Sequence, residues 1–61
     1  MNKITGYKIL EDDFRENLVK MVNQSIGEGW QPYGDLIVYV LSNNSYYFCQ
    51  AMIKTDWLST L

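Results

Sequence analysis

The stretch from Asp35 to Lys54 constrains the fold most, because it reads as a β-hairpin that is apolar on both sides. Asn43-Asn44 suits a two-residue type I′ turn, since Asn tolerates positive φ. That turn pairs Leu41 with Tyr46, Tyr39 with Phe48, Ile37 with Gln50 and Asp35 with Met52. Side chains alternate along a strand, so the other side carries Leu36, Val38, Val40, Tyr47, Cys49, Ala51 and Ile53. One side is large and aromatic, the other small and aliphatic. A chain of 61 residues has one helix with which to cover one of them. The second side must meet another subunit, a ligand or water.

Size sharpens this expectation. Domains of about 60 residues bury only about 60% of their unfolded surface, and small scaffolds usually need a disulfide, a metal or oligomerisation. Cys49 is the only cysteine and there is no histidine. An intrachain disulfide and a Cys/His zinc cage are therefore both ruled out. Self-association is the remaining source of stability, and a homo-oligomer is expected.

The order of elements reads βαββ in a single domain over residues 1–61. A first strand is expected over 3–10, with Ile4, Tyr7, Ile9 and Leu10 as its apolar content and Gly6 allowing a bulge. Glu11-Asp12-Asp13 stops it and opens a helix over 13–27. Asp13 is the expected N-cap, with Glu16 three residues on. Phe14, Leu18, Val22 and Ile26 form an apolar stripe with Met21 alongside. Gly27 or Gly29 supplies the left-handed cap.

Trp30 to Gly34 reads as an extended entry segment, kept at an edge by Pro32. Strands follow over 35–41 and 46–54, rich in β-branched and aromatic residues. The third strand, the longest, is expected in the middle and antiparallel to both neighbours. The helix makes the crossover, which is expected to be right-handed. The fold class is α+β, with one helix on one face of a three-stranded, mainly antiparallel sheet. An apolar tail over 55–61, with Trp57, Leu58 and Leu61, is expected to close over the sheet or clasp a neighbour.

Tyr7-Lys8-Ile9-Leu10-Glu11, Val22-Asn23, Glu28-Gly29-Trp30-Gln31-Pro32-Tyr33-Gly34 and Cys49-Gln50-Ala51-Met52-Ile53-Lys54 together make a pattern. It resembles that of a family of short bacterial and phage domains of unknown function. The resemblance covers residues 7 to 54; the linker before Cys49 is longer here and the tail lies outside the pattern. It implies a small α+β domain and supplies neither catalytic residues nor a substrate.

Charge and residue chemistry narrow the function. The net charge is -2, and Lys3, Lys8, Arg15, Lys20 and Lys54 are scattered, so DNA and RNA are not expected partners. No apolar run approaches the roughly 20 residues of a membrane span, and no signal peptide is evident. A cytoplasmic protein is expected. Without histidine the commonest general acid–base group is missing. Asp12 and Asp13 are accounted for by helix capping, and Cys49 reads as a small buried hydrophobe beside Phe48, Ala51 and Val38. Gly27, Gly29 and Gly34 follow the helix rather than precede it, so they form no phosphate loop. Neither an enzyme nor a cofactor or metal protein is expected.

The aromatic side of the hairpin is the remaining candidate. Ile37, Tyr39, Leu41, Tyr46, Phe48, Met52 and Trp57 are the expected oligomer interface, since Tyr and Met are enriched in interfaces. Tyr33, Tyr39, Tyr46, Phe48 and Gln50 are candidate contacts for a small planar, nucleotide-like ligand at subunit boundaries. Lys8, Arg15 or Lys54 would balance its charge. By analogy alone, such an oligomer would suit phage sequestration of a signalling nucleotide. The alternative is a module that docks a host or partner protein through the same aromatic face.

Overall fold

A computed structural model describes residues 2–57. Strand β1 spans Asn2–Asp12, helix α1 Arg15–Gly27, strand β2 Gln31–Val40 and strand β3 Tyr46–Trp57. The sheet order is β1-β3-β2, with β3 antiparallel to both neighbours. The fold is the α+β arrangement expected: one helix on one face of a three-stranded antiparallel sheet. Among the described residues no helix is long and apolar enough to cross a membrane. Leu58 and Leu61, and the side chain of Trp57, lie outside what is described; Thr55 to Trp57 continue β3.

The helix cap falls one residue later than expected. Phe14 is the N-cap and has no capping side chain. Instead the Phe14 N–H donates to Asp12 Oδ1 at 2.8 Å, and Asn17 Nδ2 donates to the same oxygen at 3.4 Å. Asp12, not Asp13, therefore shapes the entry. At the other end the Trp30 N–H donates to Ser25 O (2.9 Å) and the Gly29 N–H to Ile26 O (3.1 Å). This is the Schellman pattern, with Gly29 at φ 98 in the left-handed position.

The inward stripe of α1 is Leu18 and Ser25, both buried, with Met21 and Val22 half-buried, while Phe14 and Ile26 are exposed. Residues spaced every four drift by about 40° per step around a helix of 3.6 residues per turn. The ends of the expected stripe thus rotate out of the interface. Met52 and Ile53 of the central strand join Leu18 as the buried apolar residues among those described.

The hairpin departs from the expected register by one residue. Val40 faces Tyr46, Tyr39 faces Tyr47, Val38 faces Phe48 and Ile37 faces Cys49. The reason is the loop. The Leu41 N–H donates to Ser45 O (2.8 Å) and the Asn44 N–H to Leu41 O (3.0 Å), with Asn44 at φ 65. Ser42, Asn43 and Asn44 form a three-residue connection whose last member is left-handed, a geometry as natural for Asn as the two-residue turn. One extra loop residue turns every β3 side chain over relative to β2. Val38 and Val40 consequently share a face with Tyr46, Phe48, Gln50 and Met52, and Tyr39 and Ile37 share one with Tyr47, Cys49 and Ala51.

A second irregularity lies lower in β2. Tyr33 pairs with Ala51 and Ile37 with Cys49, so Gly34, Asp35 and Leu36 all stand opposite Gln50. Gly34, at φ 77, makes the bend. The Gln50 amide fills the gap: Nε2 lies 3.4 Å from Tyr33 O, 3.3 Å from Gly34 O and 3.0 Å from Ala51 O. A polar residue in the core is thereby explained, since it satisfies carbonyls that the bulge removes from the ladder. β1 carries a smaller bulge between Ile4 and Gly6, where the Thr5 hydroxyl donates to Lys54 O.

Candidate functional site

Among the described residues no element packs over the part of the sheet face away from the helix that carries Cys49 and Ala51, although Ile53, on the same face by register, is buried. On it the central strand presents small side chains, Cys49 and Ala51, between bulky ones from both edges. Tyr7 and Ile9 stand on β1; Tyr33, Ile37 and Tyr39 stand on β2. Low centre and high flanks make a trough of about 460 Å³, completed by Glu11, Gly34 and Asp35. Tyr7, Ile9 and Ile37 are each 60% exposed, Tyr33 54% and Tyr39 38%.

One polar cluster sits in this apolar setting. The Tyr39 hydroxyl donates to Glu11 Oε2 at 2.6 Å, and Cys49 Sγ donates to the same oxygen at 3.4 Å. Tyr39 also stacks on Tyr47, with ring centroids 5.7 Å apart and planes 18° from parallel. The hydrogen bond to Glu11, with desolvation and the carboxylate charge, pushes the Tyr39 phenol up to about 12. Desolvation and the bond to Glu11 likewise push the Cys49 thiol up. Cys49 is half-buried beside Glu11 and Ala51, not enclosed beside Val38 as its expected register had it.

The candidate residues fall on two sides of the sheet. Tyr33, Tyr39 and Ile37 line the trough. Tyr46, Phe48, Gln50 and Met52 belong to the helix side by register, with Met52 fully buried and Gln50 8% exposed. Leu41 is 40% exposed at the hairpin loop.

Lys8 and Lys54 sit near the helix exit, their Nζ atoms 4.4 and 5.0 Å from the centre of the Trp30 ring. Trp30 packs over Gly6, where an added Cβ would stand 3.0 Å from the ring. Arg15 borders a separate concavity of about 200 Å³ formed with Leu18, Val19, Val22, Asn23, Leu36 and Gln50. The phenols and the cations expected to cooperate on one ligand are thus held apart, because the one-residue register change moves half the aromatic set.

Sequence reasoning missed Tyr7, Ile9 and Glu11 as members of the site. Their alternation along β1 was a usable signal once β1 is placed beside β3. Comparison with protein-family models, curated proteins and solved structures gave no match for this chain.

Proposed function

We propose that the protein is a non-catalytic, homo-oligomeric binding module in which a second copy covers the open sheet face. A small ligand with a flat or apolar body is held in the trough at the boundary between copies. The observation that carries this reading is the imbalance between core and surface. Leu18, Met52 and Ile53 are the buried apolar residues among those described, whereas Tyr7, Ile9, Tyr33, Ile37 and Tyr39 stand exposed together. At about 200 Å² per large side chain, their exposed fractions amount to roughly 500 Å². That lies towards the upper end for the largest patch on a monomer. It is more than half of the about 800 Å² that each partner contributes to a standard interface.

Both sheet edges favour contact through the face. β2 carries Pro32 and the Gly34 bulge, and β1 carries the bulge at Thr5, which interrupt the regular ladder an added strand would need. Light scattering coupled to gel filtration at micromolar concentration is expected to give a multiple of the 7.2 kDa chain mass. Ile37→Asp, a charge on this face, is expected to reduce that mass. A monodisperse monomer of the parent chain refutes the reading. The second reading, docking of a partner protein, draws on the exposed Leu36, Val38, Val40 and Tyr46 of the hairpin's other side.

A further inference from the structure

We propose that the trough selects an organic cation, an ammonium or guanidinium group carried on an apolar body. The proposal rests on the reading of the open face as a binding surface and adds the charge of what binds there.

The lining supplies two carboxylates, Glu11 and Asp35, and three phenol rings, Tyr7, Tyr33 and Tyr39. None of the chain's five Lys and Arg side chains lines it. Aromatic faces attract cations through the ring quadrupole, and recognition of quaternary ammonium groups by clustered aromatic rings uses this attraction. A carboxylate at the rim adds a full charge of the same preference. Tyr39 and Cys49 both hydrogen-bond Oε2 of Glu11, which fixes the carboxylate in place. Oε1 has no hydrogen-bond partner among the described residues and is left to face an incoming positive charge.

The trough's titratable side chains agree with a negative local potential. The Tyr39 phenol resists losing a proton chiefly through its bond to Glu11, and the Cys49 thiol does so through desolvation first and Glu11 second. A phosphate would meet two carboxylates here without a cation to offset them. Ile9, Ile37 and Ala51 supply the apolar floor and walls for the body of the ligand. A volume of about 460 Å³ falls within the usual range of small-molecule sites, about 300–1,000 Å³.

Choline and its uncharged isostere, with carbon in place of the quaternary nitrogen, separate charge from shape. In calorimetric titration of the full chain, choline is expected to bind at least about tenfold more tightly than the isostere, in keeping with the strength of a partly desolvated cation–π contact. Glu11→Gln is expected to remove most of that preference, and Asp35→Asn, at an exposed bulge position, to weaken it without touching the Tyr39 bond. Equal binding of the two ligands, no saturable choline binding in the millimolar range, or a preference unchanged in both variants overturns the proposal. Light scattering on the same samples keeps the two ideas apart. An oligomer indifferent to choline refutes cation selection alone. A monomer that binds choline refutes the oligomer alone.

Discussion

Replacing Gln50 with Glu keeps the shape of the side chain and inverts its hydrogen bonding. Nε2 of Gln50 faces the carbonyls of Tyr33, Gly34 and Ala51 within 3.4 Å, and its two protons serve two of them at a time. A carboxylate in the same place would turn an acceptor on three acceptors, in a side chain only 8% exposed. The introduced acid relieves this by taking up a proton, which restores one donor. At low pH the loss is one net hydrogen bond, about 1 kcal/mol. At neutral pH it must also bear the cost of charging. For a pKa raised by about two units, that is about 2.7 kcal/mol, and the total is about 4 kcal/mol.

The sign follows from a folded pKa above the unfolded one. The charging penalty is absent below about pH 4, grows through about pH 6 and is complete above it. In a domain of this size 1 kcal/mol moves Tm by about 4–8 °C. Circular dichroism melts of Gln50→Glu and the parent, at equal protomer concentration, are therefore expected to differ by about 15–30 °C near neutral pH and by about 4–8 °C at about pH 4. A gap equal at both pH values refutes the argument that the amide is there to donate into the bulge.

Three further outcomes follow from the same geometry. Gly34→Ala places a Cβ in open space at φ 77, so its cost is backbone strain alone, about 1–2 kcal/mol in urea unfolding, with Gly34→Asn costing less. Tyr39 is expected to titrate at about 12 by tyrosinate absorbance, and Glu11→Gln to bring it down towards the ordinary value of about 10. The stability tied to that phenol is accordingly complete below about pH 10 and lost as pH rises through about 12. Cys49, whose thiolate is disfavoured by desolvation and by Glu11, is expected to react slowly with a thiol reagent at neutral pH and faster in Glu11→Gln; rapid labelling of the parent contradicts the Glu11–Cys49 contact.

Local signals were enough for the order of elements, the helix and a glycine cap at Gly27 or Gly29, and the central place of the last strand. The faces were not legible in the same way. Ser42, Asn43, Asn44 and Ser45 accommodate a two-residue or a three-residue loop with Asn residues at the left-handed positions, and local preference does not choose between them. The choice is made elsewhere. The three-residue loop puts Met52 under α1 and lets Gln50 reach the carbonyls that the Gly34 bend exposes. Gly34 between Tyr33 and Asp35 was a fair sign of a bulge. What it lacked was the partner residue that shows which side the bulge serves. Tyr33, Tyr39 and Ile37 kept their company across the change of register because they lie on the same strand, while Tyr46 and Phe48 were carried to the opposite side with all of β3.

The two bulges differ in parity, and this sets what changes of length the sheet can absorb. Between Tyr33 and Ile37, β2 advances four residues while β3 advances two, from Ala51 to Cys49. The surplus is even, so Tyr33 emerges on the same side as Ile37 and Tyr39. In β1 the surplus at Thr5 is a single residue, which reverses the sense of alternation for everything before it. A deletion of two residues between Tyr33 and Ile37 would straighten β2 and leave its phenols in the trough. A deletion of one would turn Gln31 to Tyr33 over, sending Tyr33 towards the helix. Insertions and deletions at this bend are thus expected to be tolerated in pairs, a rule that a library of length variants can read directly.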